Sequence, residues 1–254
     1  MRWSELQPTP EIVQALEHAG LSRPEDGDQN QKRAWSKAFA DGCAVAVAAQ
    51  LRRSRLTGKT IRPAKLGEGT EPLTPLGAGT KKRIDVTVAD PVLGLEIGVS
   101  LKGMNFRDPT NENFDKNLTG RLYELGDEVR MVHEHLPHCF MVGILFFPLE
   151  STTDKTPSSF AHAVVKLRER TGRLDAALMG HAAKCDASYV ALYTLGTEPG
   201  YARGINRFFN VENAPPRRGL PQVALTLTLE EMVDQVVSMA TFEHSITWSD
   251  PEQE

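Results

Sequence analysis

Between Arg83 and Lys102 apolar and polar residues alternate with a period of two, and this pattern narrows what can be built around the segment. Ile84, Val86 and Val88 alternate with Arg83, Asp85 and Thr87. Leu93, Leu95, Ile97, Val99 and Leu101 alternate with Gly94, Glu96, Gly98, Ser100 and Lys102. Such a period predicts two half-buried β-strands. Asp90-Pro91-Val92-Leu93-Gly94 supplies turn residues between them, so the segment folds back as a hairpin. Both apolar rows must meet one core, because a one-residue slip would turn one row to solvent. The register therefore puts Asp85 on the face of Ser100 and Lys102, opposite Gly98 or Ser100, with Lys102 within ~7 Å along the strand.

Around the hairpin the pattern is that of an α/β protein with a mixed sheet. Thr9 and Pro10 fit the start of a short helix and Gly20 its stop, followed by a polar linker from Ser22 to Gln29. An alanine-rich helix is expected from Gln31 to Arg53, carrying Trp35, Phe39, Val45 and Leu51 and weakened by Gly42. A helix from Thr119 to Leu136 buries Leu118, Leu122, Leu125, Val129, Val132 and Leu136. The run Phe140 to Phe147 then reads as a central strand, apolar on both faces. Further helices are expected at Ser159–Arg170, Leu174–Cys185 and Leu229–Ala240, and strands at Tyr189–Leu195 and Asn206–Val211. This gives an N-terminal helix and linker over 1–30 and a single α/β domain over 31–254, without internal repeats.

With 254 residues, 40% of them hydrophobic, the chain can bury a substantial core. A formal net charge of −4 argues against a wholly basic nucleic-acid coat, so charge has to be read locally. The stretch from Leu51 to Arg83 carries Arg52, Arg53, Arg55, Lys59, Arg62, Lys65, Lys81, Lys82 and Arg83 against only Glu68 and Glu71, a basic loop leading into the hairpin. It reads either as a solvated loop or as a contact for a phosphate backbone. Cys43, Cys139 and Cys185 are widely separated and form no CxxC pair, which fits a reducing, cytoplasmic compartment. The start MRWSELQPTPEIV lacks the apolar stretch of a signal peptide, and Phe140 to Leu149 is too short to span a bilayer.

Phosphodiester hydrolysis needs carboxylates to hold a cation and a positive group beside the attacking oxygen. Asp85 and Lys102 supply one of each. Through KKRIDVTVADPVLGLEIGVSLK and the helix, hairpin, helix, strand order around it, the stretch from Gln31 to Leu149 resembles the PD-(D/E)XK nuclease superfamily. The resemblance implies a restriction-endonuclease-like mixed sheet flanked by helices. It further implies a Mg²⁺- or Mn²⁺-dependent endonuclease acting on DNA, a place in restriction or host defence, and a homodimer or larger defence complex as its assembly. It also makes the main-chain carbonyl of Leu101 a metal ligand beside Asp85.

The sequence departs from the family pattern at Ser100, where an acid two residues before the lysine is usual. Glu96 does not replace it, lying about six residues or 20 Å from Lys102 along the strand. A subgroup of restriction enzymes has a similar serine and takes its second carboxylate from the following helix, and that resemblance implies a migrated acid here, with Glu124 first because it stands only ~7 Å of rise from the helix start, against ~13 Å for Glu128. Angular position favours Glu128, which falls nearer the apolar stripe. Asp85, Lys102, Glu124, Glu128 and Ser100 are thus the expected catalytic set, and Asp85, Leu101 and Glu124 the metal ligands. Lys81, Lys82, Arg83, Lys116 and Arg121 are expected to contact nucleic acid. The rival reading is a catalytically degenerate nucleic-acid-binding or regulatory subunit, with Asp85 and Lys102 as a cross-strand ion pair of little energetic weight.

Three other signals are weaker. Thr57-Gly58-Lys59-Thr60 ends like a P-loop, but Arg53 replaces the first glycine and a helix precedes it. Gly77-Ala78-Gly79 lacks the strand and helix of a dinucleotide site. His133, His135 and His138 fit a helix end better than a zinc site, since Pro137 stands where a second ligand is needed.

Overall fold

The computed structural model describes residues 1–56, 58–66, 73–77, 80–173 and 181–243. Helix α1 (Pro10–Ala19) follows Thr9 and ends at Gly20, whose N–H donates to the carbonyls of Leu16 and Glu17. Helix α2 (Gln29–Arg53) starts two residues earlier than its periodicity suggests. Asp28 is the cause: its carboxylate accepts from Asn30 N and Gln31 N, and Gln31 Oε1 accepts from Asp28 N, a reciprocal cap. Gly42 serves contact rather than weakness, since a Cβ there would meet the Ala15 Cα at 2.6 Å. The absent side chain lets α1 lie close on α2.

The segment expected as a basic loop contains strand β1 (Thr60–Arg62) and a separate two-stranded ribbon, β2 (Leu73–Gly77) and β3 (Thr80–Arg83). Thr57, Glu68, Glu71, Ala78 and Gly79 lie outside the described residues, as does Trp248. The hairpin forms as β4 (Val86–Asp90) and β5 (Gly94–Gly103), with Val86 opposite Val99 and Thr87 opposite Gly98. One step back from Val86 brings Asp85 level with Ser100. Between Val88 and Ala89 the register shifts, Val88 facing Ile97 but Ala89 facing Leu95, so Glu96 is the extra residue of a bulge. Strict alternation therefore stops there, and Leu95, with Ile84 at the other end, joins the opposite core from Ile97 and Val99.

Helix α3 (Leu118–His135) carries the chain from β5 to the parallel strand β6 (Phe140–Pro148), buried along its whole length. Helix α4 (Ser159–Arg168) leads to β7 (Ala187–Tyr193), also parallel, followed by β8 (Asn206–Asn210), β9 (Thr226–Leu227) and α5 (Leu229–Glu243). The helix expected over Leu174–Cys185 falls largely outside the described residues, and Cys185 itself forms a β-bridge with Thr171. The main sheet runs β1-β4-β5-β6-β7-β8-β9, antiparallel at both margins and parallel across β5-β6-β7. The expected α/β class, a mixed central sheet flanked by helices, is the architecture observed, and it is consistent with the restriction-endonuclease-like arrangement expected.

Helices α1, α2 and α5 cover one face, where Phe39 and Met232 belong to one core with Val86, Val99, Ile144 and Tyr189. Helices α3 and α4 cover the other, where Leu125 and Phe160 meet Met141, Leu145 and Phe209. The half-buried expectation for the hairpin is thus corrected: Thr87, Glu96 and Ser100 are all buried, because α3 lies over the row that was to face solvent. Residues 22–29 also differ from a free linker. Arg23 is buried, its guanidinium donating to Asn105 O at 2.8 Å and to Glu150 at 3.1 Å. Ile12, Ala15 and Leu16 belong to the main core, so residues 1–30 fold with the rest. Among the described residues, no helix is long and apolar enough to cross a membrane.

Candidate active site

Strand β5 delivers Ser100 and Lys102 to the α3 side of the sheet, and the chain just before β4 delivers Asp85. Asp85 Oδ2 accepts the N–H of Leu101 at 2.5 Å. A strand residue projects its N–H and C=O towards the same neighbour, so the Leu101 carbonyl lies on the same edge, beyond the last β4–β5 pair at Val86 and Val99. From above, α3 lowers Glu128. Its Oε2 accepts from the Ser100 hydroxyl and, at 2.8 Å, from Lys102 Nζ, while Lys82 Nζ of β3 stands 3.8 Å from Oε1.

The ranking of the two helix glutamates is reversed by this geometry. Glu124 pairs with Arg121 at 2.7 Å with its side chain 55% exposed, whereas the Glu128 side chain is 14% exposed and reaches Ser100 and Lys102. Depth along the helix was the weaker guide, because helical side chains lean back towards the N-terminus and cover the preceding turn. Glu128 gains that reach and also flanks the buried Leu125 and Val129, while Glu124 points to solvent.

Lys102 is held above the ordinary lysine value. Burial pulls it down, but the carboxylates of Glu128, Asp85 and Glu124 outweigh that and keep the ammonium charged. The group therefore acts as a fixed positive charge and hydrogen-bond donor. Two carboxylates and a carbonyl, all oxygen, are the donor chemistry a hard dication takes, so Asp85, Glu128 and Leu101 suit Mg²⁺ or Mn²⁺ in type. Among the described residues, no three or more His, Cys, Asp or Glu side chains gather as a metal-binding group.

The other expected contacts spread around this centre. Lys81 and Arg83 are exposed on β3, and Lys82 is half-buried beside Glu128. Lys116 pairs with Asp108 and Arg121 with Glu124, so neither joins the Glu128 cluster. Glu96 stays apart as expected, with Lys59 bound to it at 3.0 Å and to Asp90 at 2.7 Å. That ion pairing, with Thr60 in β1, gives Lys59 a structural place in the P-loop-like segment. His133 is buried and meets the carbonyls of Ala182 and Cys139, while His135 meets Met131 O at its own helix end. The Lys82 contact with Glu128 was not foreseen; the alternating sides of Lys81, Lys82 and Arg83 on a strand were its only signal in the sequence. Comparison with known proteins finds no matching family model, no matching curated protein and no matching solved structure.

Proposed function

We propose that the protein is a metal-dependent endonuclease of the PD-(D/E)XK type that hydrolyses phosphodiester bonds, with DNA as its substrate. The observation carrying this reading is the meeting of Glu128 from α3 with Ser100 and Lys102 of β5, which supplies the acid missing from the strand. Asp85 and Glu128, with the Leu101 carbonyl, would hold Mg²⁺ or Mn²⁺. Bound there, the cation would supply Lewis-acid polarisation of the phosphate and a more acidic water. Lys102, kept charged by its carboxylate neighbours, orients the nucleophile and offsets phosphate charge rather than accepting a proton. Ser100 fixes one Glu128 oxygen by donating its hydroxyl to it. A place in restriction or host defence, as part of a homodimer or larger complex, belongs to the same reading.

Plasmid cleavage in Mg²⁺ or Mn²⁺ tests it. Asp85→Ala, Lys102→Ala and Glu128→Gln should each abolish nicking, and Glu124→Gln should retain it. Cleavage by the Asp85 and Lys102 variants at the rate of the unchanged protein would overturn the assignment. A second reading, a catalytically degenerate nucleic-acid-binding or regulatory subunit, is favoured by the way Ser100 and Lys102 already occupy one Glu128 oxygen. It predicts salt-sensitive binding without cleavage in any divalent cation.

A further inference from the structure

Lys81, Lys82 and Arg83 are consecutive on β3, so their side chains alternate across the strand. Lys81 and Arg83 are exposed, whereas the Lys82 side chain is 28% exposed and turned to Glu128 Oε1. The other oxygen of that carboxylate is held by Ser100 and Lys102, so Oε1 is the oxygen an incoming cation would meet. The positive charge already beside it comes from a ribbon outside the main sheet. β2 and β3 pair with each other in a two-stranded sheet, and β2 also lies against α3. A ribbon of two strands is marginal alone, so its placement depends on contacts such as this one.

We propose that Lys82 is an internal counter-cation for Glu128, which a divalent metal ion displaces from Oε1, coupling metal loading of the site to the position of the β2–β3 ribbon. The inference rests on the nuclease reading above. An ammonium and a dication repel at such range, so the lysine must give way when the metal binds, and metal binding must work against the lysine. Lys81, on the opposite side of the same strand, carries equal charge and takes no part.

Mn²⁺ binding to the full chain, followed by titration calorimetry and by the paramagnetic resonance of free Mn²⁺, tests this without any need for turnover. Lys82→Met should bind Mn²⁺ about two- to five-fold more tightly than the unchanged protein, the effect of removing a partly exposed ion pair. Lys81→Met, which changes net charge equally, should leave the affinity as it was. Adding Glu128→Gln to Lys82→Met should erase the gain. Lys82→Gln, with circular dichroism on each variant, serves as the second substitution should the methionine disturb the ribbon. Equal affinity in the Lys82 and Lys81 variants would overturn the inference and leave the nuclease reading intact. Absence of Mn²⁺ binding in every protein would remove the metal site itself, and both ideas with it.

Discussion

Two opposed influences meet at Lys102, burial against the charge and carboxylates in favour of it, and the second prevails. The consequence for stability has a definite sign. A lysine raised in the folded state adds stability at every pH below the ordinary value of 10.5 and loses it as pH climbs through the higher folded value. Glu128→Gln removes the main partner of this ammonium, leaving it buried with less compensation. The variant should be destabilised by about 2–4 kcal/mol at pH 7, and the gap should narrow above the lysine range. Urea midpoints measured from pH 7 to pH 11 check this, and a constant gap across that range would contradict it. The shared face of Asp85, Ser100 and Lys102 could be read from alternation alone. Which glutamate completes it could not, because rise along a helix and angle around it gave opposite answers, and only the placement of α3 over the sheet decides between them.

At the level of elements, long periodic stretches were legible and short ones were not. Helix α3 and strand β6 bury enough apolar residues in a regular pattern to announce themselves. Strand β1 is 3 residues and β9 is 2, too short for any period, and each exists because a neighbouring strand offers it hydrogen bonds. The bulge at Glu96 is equally silent in sequence, since Leu95, Glu96 and Ile97, the residues at the register shift, include neither glycine nor proline. Gly42 illustrates the reverse, a residue whose propensity points the wrong way. Alanine there would ordinarily favour a helix by about 1 kcal/mol. Here its methyl would meet the Ala15 backbone, so Gly42→Ala should instead destabilise by about 1–3 kcal/mol in chemical denaturation. An increase in stability would show that α1 can move aside at no cost.

For the molecule as a whole, a net charge of −4 coexists with positive side chains concentrated where β3 passes the site. Binding to a labelled DNA duplex, followed by fluorescence anisotropy at increasing salt, should therefore weaken steeply. Lys81→Ala and Arg83→Ala should each lower the logarithmic salt slope by about 1. Unchanged slopes would place the nucleic acid elsewhere. The mixed sheet was readable as a class from the order of its elements. The integration of residues 1–30 was not, because it depends on partners far along the chain.

Those partners set an order of events during synthesis. Arg203 donates to the carbonyls of Leu16, Gly20 and Leu21, across a separation of 187 residues in the case of Leu16. At roughly 5–20 residues per second, a ribosome delivers that arginine about 10–40 s after the helix it caps. Asp85, Lys102 and Glu128 emerge well within that interval, from the chain before β4, from β5 and from α3. The catalytic candidates can thus find one another while the first helix still waits for its clasp, and a chain interrupted before Arg203 would expose the loose end of α1 first.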